Sequence, residues 1–378
     1  MTICVGLMSG TSMDGVDAVA CDIRYKNGVV RIKPIAHFKK QYPEQLRERL
    51  YKAASGLGSC LPGELCLLNT KVGEAFASSA NALMKKRAMQ GVRVEMIGSH
   101  GQTICHIPEK GATMQIGSGA LIAVRTGVRT WSDFRSADVA RGGEGAPLAP
   151  VVHAALFGDK RKNVTALNIG GIANLTHLPA GETSLTSLLA YDTGPGNMLI
   201  DHAARKARVG LFDKDGASAR KGVINEALLR KLLSHGYFRK KPPKSTGAGY
   251  FGAAAFGEWA NMDLDVRLNR DILATFTELT ARSVALEIEK LRRGNRPTDR
   301  LVICGGGAKN GYLVERIAAN LGGVEVTTSD RLGVPSDMVE GMLMALLAWY
   351  ADNGVAVDLS KITGARGGPA ILGTLAPA

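Results

Sequence analysis

The sequence lacks the features that define several other classes of protein. No stretch approaches the ~18 consecutive apolar residues that a membrane-spanning helix requires. Aromatic residues are only 5% of the 378 residues, and they are not interleaved with basic residues as in nucleic-acid-binding motifs. The six cysteines form no C-x-x-C pair and no zinc-type spacing, which is typical of thiols in a reducing compartment. We therefore expect a cytoplasmic protein that binds neither membrane nor nucleic acid.

Acidic residues are also scarce relative to basic ones. The 47 Lys and Arg residues against 34 Asp and Glu give a net charge of +13, which attracts anionic ligands without identifying them. No G-x-x-x-x-G-K-[ST] sequence occurs, so a P-loop is excluded as the source of nucleotide binding. Glycine is abundant, with 46 residues, and the length predicts about two domains at ~150 residues each.

The order of the predicted elements occurs twice along the chain. Apolar runs at 2–8, 16–23 and 29–37 predict three strands, followed by helices near 43–56 and 61–89 and a strand at 92–97. Beyond a Gly- and Pro-rich stretch at 141–150, the second series has strands at 164–169, 172–178, 188–191 and 301–304, and a helix at 311–320. We predict an α/β fold with two similar lobes, 1–145 and 146–378, around a central cleft.

The corner between the first two strands is the first candidate for ligand binding. It has hydroxyl, glycine and aspartate residues whose N–H and O–H groups could wrap a phosphate and whose carboxylates could face Mg²⁺. The same residue types are typical of a solvated hairpin turn, so both interpretations stay open. The corner comprises Gly10, Thr11, Ser12, Met13, Asp14, Gly15, Val16 and Asp17.

Two glycine-rich segments in the second half are further candidates. Asn168, Gly170 and Gly171 repeat the strand–corner–strand pattern, and a glycine pair lets a ligand approach the backbone closely. Gly305, Gly306 and Gly307 lie between a strand and a helix, where bare backbone could carry the base or ribose of adenosine. Each segment is also explained as a turn that requires glycine.

Two carboxylates are candidates for acid–base chemistry. Asp192 lies between a short strand and a helix that begins near Asn197, a position suited to a general base or to a turn cap. Glu340 opens an amphipathic helix and could reach the cleft. Spacing alone favours an Asp337–Glu340 capping pair.

The motifs together resemble those of the anhydro-N-acetylmuramic acid kinase family, within the superfamily of actin, sugar kinases and heat-shock-chaperone ATPases. The resemblance covers nearly the whole chain in one order. One departure is Ala248-Gly249, where we expect Arg-Glu. The motifs are GLMSGTSMDGVD (6–17), GSHGQT (98–103), DFR (133–135), GAPL (145–148), LNIGGIAN (167–174), DTGPGN (192–197), PKSTG (243–247), CGGG (304–307) and TGA (363–365).

The resemblance implies an enzyme that uses ATP, Mg²⁺ and water to open the 1,6-anhydro ring of 1,6-anhydro-N-acetylmuramic acid and phosphorylate O6, in cell-wall recycling. It assigns catalysis to Asp192 and Glu340, and substrate binding to Arg135, for the lactyl carboxylate, and to His100, for which a core role is the alternative. It leaves the magnesium ligands unidentified and is compatible with a homodimer. A chaperone-like ATPase of the same fold is the rival function.

Overall fold

The computed structural model describes residues 1–10, 12–26, 28–55, 60–182, 184–242, 244–246, 251 and 270–378. These residues divide into two compact units. The first comprises Met1–Leu156, Thr183–Thr186 and Met338–Ala378, and the second comprises Phe157–Glu182 and Ser187–Asp337. Within the described part of the chain, no helix is both long and apolar enough to cross a membrane.

The first unit is built on a six-stranded mixed sheet with the order β13-β7-β4-β1-β2-β3. Strands β1 to β3 form an antiparallel meander, and β4 and β7 run parallel to β1 and β4 respectively. The strands are β1 (Thr2–Met8), β2 (Gly15–Lys26), β3 (Val29–Gln41), β4 (Met96–Ser99), β7 (Thr130–Ser132) and β13 (Thr374–Ala376), with a separate hairpin of β5 (Gln102–Ile107) and β6 (Ala112–Ile116). The helices are α1 (Glu44–Ser55), α2 (Pro62–Met84), α3 (Gly119–Thr126), α4 (Ser136–Val139), α5 (Ala149–Phe157), α10 (Val339–Asp352) and α11 (Ser360–Thr363).

The second unit contains a five-stranded sheet with the order β10-β9-β8-β11-β12. Strands β8 to β10 are antiparallel, and β11 runs parallel to both β8 and β12. The strands are β8 (Val164–Ile169), β9 (Ile172–Leu178), β10 (Leu189–Pro195), β11 (Arg300–Cys304) and β12 (Glu325–Thr328). The helices are α6 (Met198–Lys206), α7 (Glu226–Leu233), α8 (Arg270–Arg293) and α9 (Gly311–Ala319).

The two sheets share one topology, apart from β13 at the edge of the first. Each sheet contains an antiparallel meander of three strands. Two further strands lie beyond the first strand of the meander and run parallel to that strand: β4 and β7 beyond β1, and β11 and β12 beyond β8. This arrangement is that of the actin-like ATPase, or ribonuclease H-like, fold. The predicted α/β class and the repeat are therefore confirmed.

Helix α10 is buried on nearly all sides, which differs from the amphipathic helix that the sequence predicted. Eleven of its residues are buried, because the helix packs against β1, β4 and β2 of the first sheet. Gly6 and Gly98 allow this approach: a Cβ at Gly6 would collide with the Gly341 carbonyl, and one at Gly98 with the Met344 carbonyl. The segment from Met338 onward thus belongs to the first unit, whereas the sequence placed it in the second lobe.

Candidate active site

The corner after β1 is held in place by a side chain from β5. Ser9 Oγ donates to Gln102 Oε1 at 2.8 Å, and Gln102 Nε2 donates to the Gly10 carbonyl at 3.2 Å. The sequence reasoning missed this role of Gln102, although the residue lies inside the GSHGQT motif. Thr11 lies outside the described residues. The corner is therefore a supported loop rather than a freely solvated turn.

The residues of this corner differ in what they could offer a ligand. The Met13 and Val16 side chains are buried in the core of the unit, so only their backbone groups are available. A Cβ at Gly15 would collide with the Lys40 carbonyl on β3, which explains glycine at the start of β2. Ser12 Oγ donates to Asp14 Oδ1 at 3.1 Å.

Two carboxylates of the corner lie around a lysine that the sequence did not single out. Lys39 Nζ is 3.4 Å from Asp14 Oδ2 and 3.4 Å from Asp17 Oδ2. Asp17 Oδ1 also lies 2.9 Å from His37 Nε2. Asp17 faces Lys39 directly across the β2–β3 pair, and His37 is two residues earlier on the same face of β3. A cross-strand register, which only the fold reveals, brings these groups together.

Glu340 lies in the first turn of α10 and is accessible to solvent. Partial loss of hydration and the negative charge of Asp17 raise its pKa, whereas Arg135 and Lys39 act in the opposite direction. The alternative of an Asp337–Glu340 cap is wrong. Met338, and not Asp337, is the N-cap and makes no side-chain cap hydrogen bond, and Asp337 Oδ2 accepts from Lys309 Nζ at 2.8 Å.

Arg135 is fixed by three hydrogen bonds. Its Nε and one terminal nitrogen lie 3.0 and 2.9 Å from His100 Nε2, and its other terminal nitrogen donates to the Gly145 carbonyl at 2.6 Å. Burial lowers the Arg135 pKa to about 10. A guanidinium has five N–H groups, so two of them remain to donate to an anionic ligand.

His100 is neutral, and both of its ring nitrogens are engaged. Burial and the neighbouring Arg135 charge lower its pKa to about 3. Nε2 therefore accepts from Arg135, and Nδ1 donates to the Gly101 carbonyl at 3.0 Å. This geometry makes His100 an orienting group for Arg135.

Asp138 connects the GAPL and TGA motifs within the first unit. Its Oδ2 accepts from the Gly145 N–H at 2.7 Å, and its Oδ1 accepts from Thr363 Oγ1 at 2.8 Å. Gly145 in turn provides the carbonyl that holds Arg135. These two motifs thus support Arg135, a role that spacing along the chain could not reveal.

In the second unit, three glycine-containing segments pack together. The Gly196 and Asn197 N–H groups donate at 2.8 Å to the carbonyls of Gly171 and Gly170 respectively. A Cβ at Gly305, whose φ is +75°, would collide with the Asn168 amide oxygen. The structure therefore brings Asn168, Gly170 and Gly171 close to Gly305, and binding of a ligand by these segments stays a prediction.

Asp192 lies on β10 at a bulge that precedes Gly194. Its Oδ2 accepts from the Thr246 N–H at 2.8 Å, and its own N–H donates to the Lys244 carbonyl at 3.1 Å. Tyr237 O–H donates to the Asp192 carbonyl at 2.8 Å. The carboxylate thus has a defined orientation, set by a segment that the sequence left without a role.

The oxygen donors fit Mg²⁺ bound together with a nucleotide. Over the residues that the structure describes, no group of three or more His, Cys, Asp or Glu side chains could hold a metal ion. Mg²⁺ in nucleotide sites is commonly held by one or two carboxylates plus phosphates. Asp14 and Asp17 provide two such carboxylates beside the same ammonium group.

Two sheets of actin-like topology, each with a glycine-containing corner after its first strand, place the chain in the structural class of actin-like ATPases. The family model for anhydro-N-acetylmuramic acid kinase matches residues 2–378. Proteins of that name from Caldanaerobacter subterraneus, Gloeobacter violaceus and Shewanella amazonensis are 37%, 39% and 41% identical; the alignments cover 98%, 100% and 99% of this chain and 96%, 99% and 98% of theirs. The chain belongs to the anhydro-N-acetylmuramic acid kinase family, as the sequence motifs predicted.

Solved structures are more distant. A 2-hydroxyisocaproyl-CoA dehydratase activator from Clostridium difficile is 13% identical, with a TM-score of 0.44 over 93% of this chain and 96% of that one. The family assignment rests on the family model and the sequence relatives. Membership in this kinase family means that the chain is an ATP-using enzyme.

Proposed function

We propose that the chain uses ATP and water to convert 1,6-anhydro-N-acetylmuramic acid into N-acetylmuramic acid 6-phosphate. The water oxygen bonds to the anomeric carbon, the bond from that carbon to O6 breaks, and O6 takes the γ-phosphoryl group as ADP leaves. The observation that carries the proposal is the oriented Asp192 carboxylate, in a chain of this family. The pathway served is cell-wall recycling in the cytoplasm.

Asp192 is the general base in this proposal. It takes the proton from the attacking water, a step that requires an ionised carboxylate within hydrogen-bond reach. The Thr246 N–H favours the ionised form, because a hydrogen bond donated to a carboxylate stabilises its charge.

The glycine-rich segments bind ATP. In the first unit, the corner Gly10–Asp17 offers backbone N–H groups to phosphate oxygens. In the second unit, the segments containing Gly170 and Gly305 are the candidates for binding nucleotide. Bound Mg²⁺, held by Asp14 and Asp17, would neutralise the charge of the phosphates. Lys39, beside both carboxylates, keeps the corner from accumulating negative charge before the nucleotide binds.

Arg135 and Glu340 serve the sugar. The free N–H groups of Arg135 receive the lactyl carboxylate, and its planar fork suits that geometry. His100 contributes by orienting Arg135. Loss of hydration and the charge of Asp17 raise the Glu340 pKa, a perturbation typical of residues that take part in proton transfer beside a substrate. A homodimer stays a prediction from the resemblance.

The reaction is tested by measuring ADP release with and without the anhydro sugar. We expect release to depend on the sugar, and sugar-independent release would instead support the chaperone-like ATPase. In ¹⁸O-labelled water, label should appear at the anomeric carbon and not in the phosphate. The opposite labelling would exclude the mechanism.

Replacing Asp192 by Asn tests the general base. We expect kcat to fall about 10²–10⁴-fold, the range that a general base contributes, while nucleotide binding stays unchanged. Asp159→Asn is the control, because that carboxylate of the same unit accepts from the N–H groups of Arg161 and Lys162, lies 3.8 Å from Arg300, and has no part in the proposed chemistry. A near-normal rate for Asp192→Asn would assign the base elsewhere.

A further inference from the structure

Lys244, from the PKSTG motif, directs its charge into the protein interior. Its side chain is 2% exposed, and Nζ donates to Glu287 Oε1 at 2.8 Å. Glu287, on α8, is itself fully buried. The ammonium group also lies 4.5 Å from the centre of the Tyr237 ring. Lys244 is therefore not placed to bind a ligand from solvent.

The backbone of residues 244–246 holds Asp192 from two directions. The Lys244 carbonyl accepts from the Asp192 N–H, and the Thr246 N–H donates to the Asp192 carboxylate. The two contacts are two residues apart on one short segment. The position of that segment consequently determines where the carboxylate points.

The buried ion pair joins this segment to α8. Burial lowers the Lys244 pKa, and Glu287 opposes that effect. Lys290 Nζ shares the same Glu287 oxygen at 2.8 Å, so two ammonium groups surround one carboxylate and leave net positive charge near Asp192. The rings of two titratable residues, Tyr191 and Tyr237, also lie near Lys244, with their centres 5.8 and 4.5 Å from Nζ. Buried ion pairs contribute little net stability, so stability alone does not account for the arrangement.

We propose that Lys244 is a positioning residue for Asp192: its ion pair with Glu287 fixes the 244–246 backbone, which orients the carboxylate and keeps it ionised. The inference rests on the proposed function for its kinetic consequence. The orientation itself can be tested without any activity.

Lys244→Met removes the charge and keeps an apolar chain of similar length, while Glu287 retains Lys290. We expect kcat to fall about 10- to 100-fold, because displacement of a reacting group by ~1 Å has effects of that size. KM for ATP should be unchanged. The Asp192 carboxyl can be followed by NMR in protein labelled with ¹³C-aspartate, and its signal is assigned by its absence in Asp192→Asn. In Lys244→Met this carboxyl should titrate roughly one pH unit higher, because the Thr246 N–H no longer donates to it.

Arg316→Met is the matched control. Arg316 Nε donates at 2.7 Å to Glu278, another buried glutamate of α8, which keeps Arg282 as a partner. This variant should leave kcat and the Asp192 titration unchanged even if its melting temperature falls as far as that of Lys244→Met. If Lys244→Met does not fold, Glu287→Gln retains an acceptor for the ammonium and should shift both quantities in the same direction by less.

A folded Lys244→Met variant with wild-type kcat and an unshifted Asp192 titration would overturn the inference. If the wild-type chain releases no ADP in response to the sugar, the proposed function fails instead. In that case the titration of the Asp192 carboxyl, without any kinetic measurement, tests the positioning role of Lys244. The two failures are therefore distinguishable.

Discussion

At the scale of single residues, three buried histidines make the folded chain sensitive to acid. Burial lowers the pKa of His100 to about 3 and that of His153 and His177 to about 4, from an ordinary 6.5. Below pH 6.5 these histidines become protonated in the unfolded chain, whereas in the folded chain they stay neutral until about pH 3–4. Stability is therefore full above pH 6.5 and falls as the pH drops through this window, by up to about 1.4 kcal/mol per pH unit for each histidine.

Urea unfolding at pH 7.5, 6.0 and 5.0 measures this loss. His177→Asn is the informative variant, because its amide can occupy the position of ring Nδ1, which lies 3.2 Å from Thr165 Oγ1, without titrating. Its stability should depend less steeply on pH than that of the wild type. Identical slopes for the two proteins between pH 7.5 and 5.0 would contradict the assignment.

At the scale of elements, the bounds of strands are predicted best where the local pattern of apolar residues determines them. The bounds of β1, β8 and β9 are those predicted from apolar runs, and Glu340 does lie at the start of its helix. The predicted strand at 92–97 is displaced to Met96–Ser99. That strand takes its partners from β1 and β7, so distant pairing sets its bounds rather than the local run.

The close approach of α10 to the first sheet is an element-scale feature that glycine makes possible. Gly98→Ala should destabilise the chain by about 3 kcal/mol or more, because its Cβ would meet the Met344 carbonyl and the helix would have to shift. Gly63→Ala, in the first turn of α2, meets no atom within 4 Å and should be neutral or stabilising. The two melting temperatures make the comparison, and equal values would show that the helix is free to move.

At the scale of the whole molecule, the repeat of topology could be predicted, but the limits of the units could not. The Gly- and Pro-rich stretch at 141–150 has the composition of a linker, yet Asp138 and Thr363 hold it within the first unit. The composition of a segment indicates its local flexibility, whereas the limits of a domain depend on the distant residues that pack against that segment. The Lys244–Glu287 pair was missed for the same reason, since 43 residues separate its members.

Removal of residues 338–378 tests which segments complete the first unit. The truncated chain loses α10, eleven of whose residues are buried, and each large apolar side chain contributes about 1.5–3 kcal/mol on burial. Seven of these buried residues have large apolar side chains, so their total of roughly 10–20 kcal/mol is comparable with the ~5–15 kcal/mol by which domains are stable. Hydrogen exchange should therefore show loss of protection in β1 and β4, while β8 and β11, in the other unit, stay protected. Protection retained in β1 would instead support a first lobe that folds from residues 1–145 without the C-terminal segment.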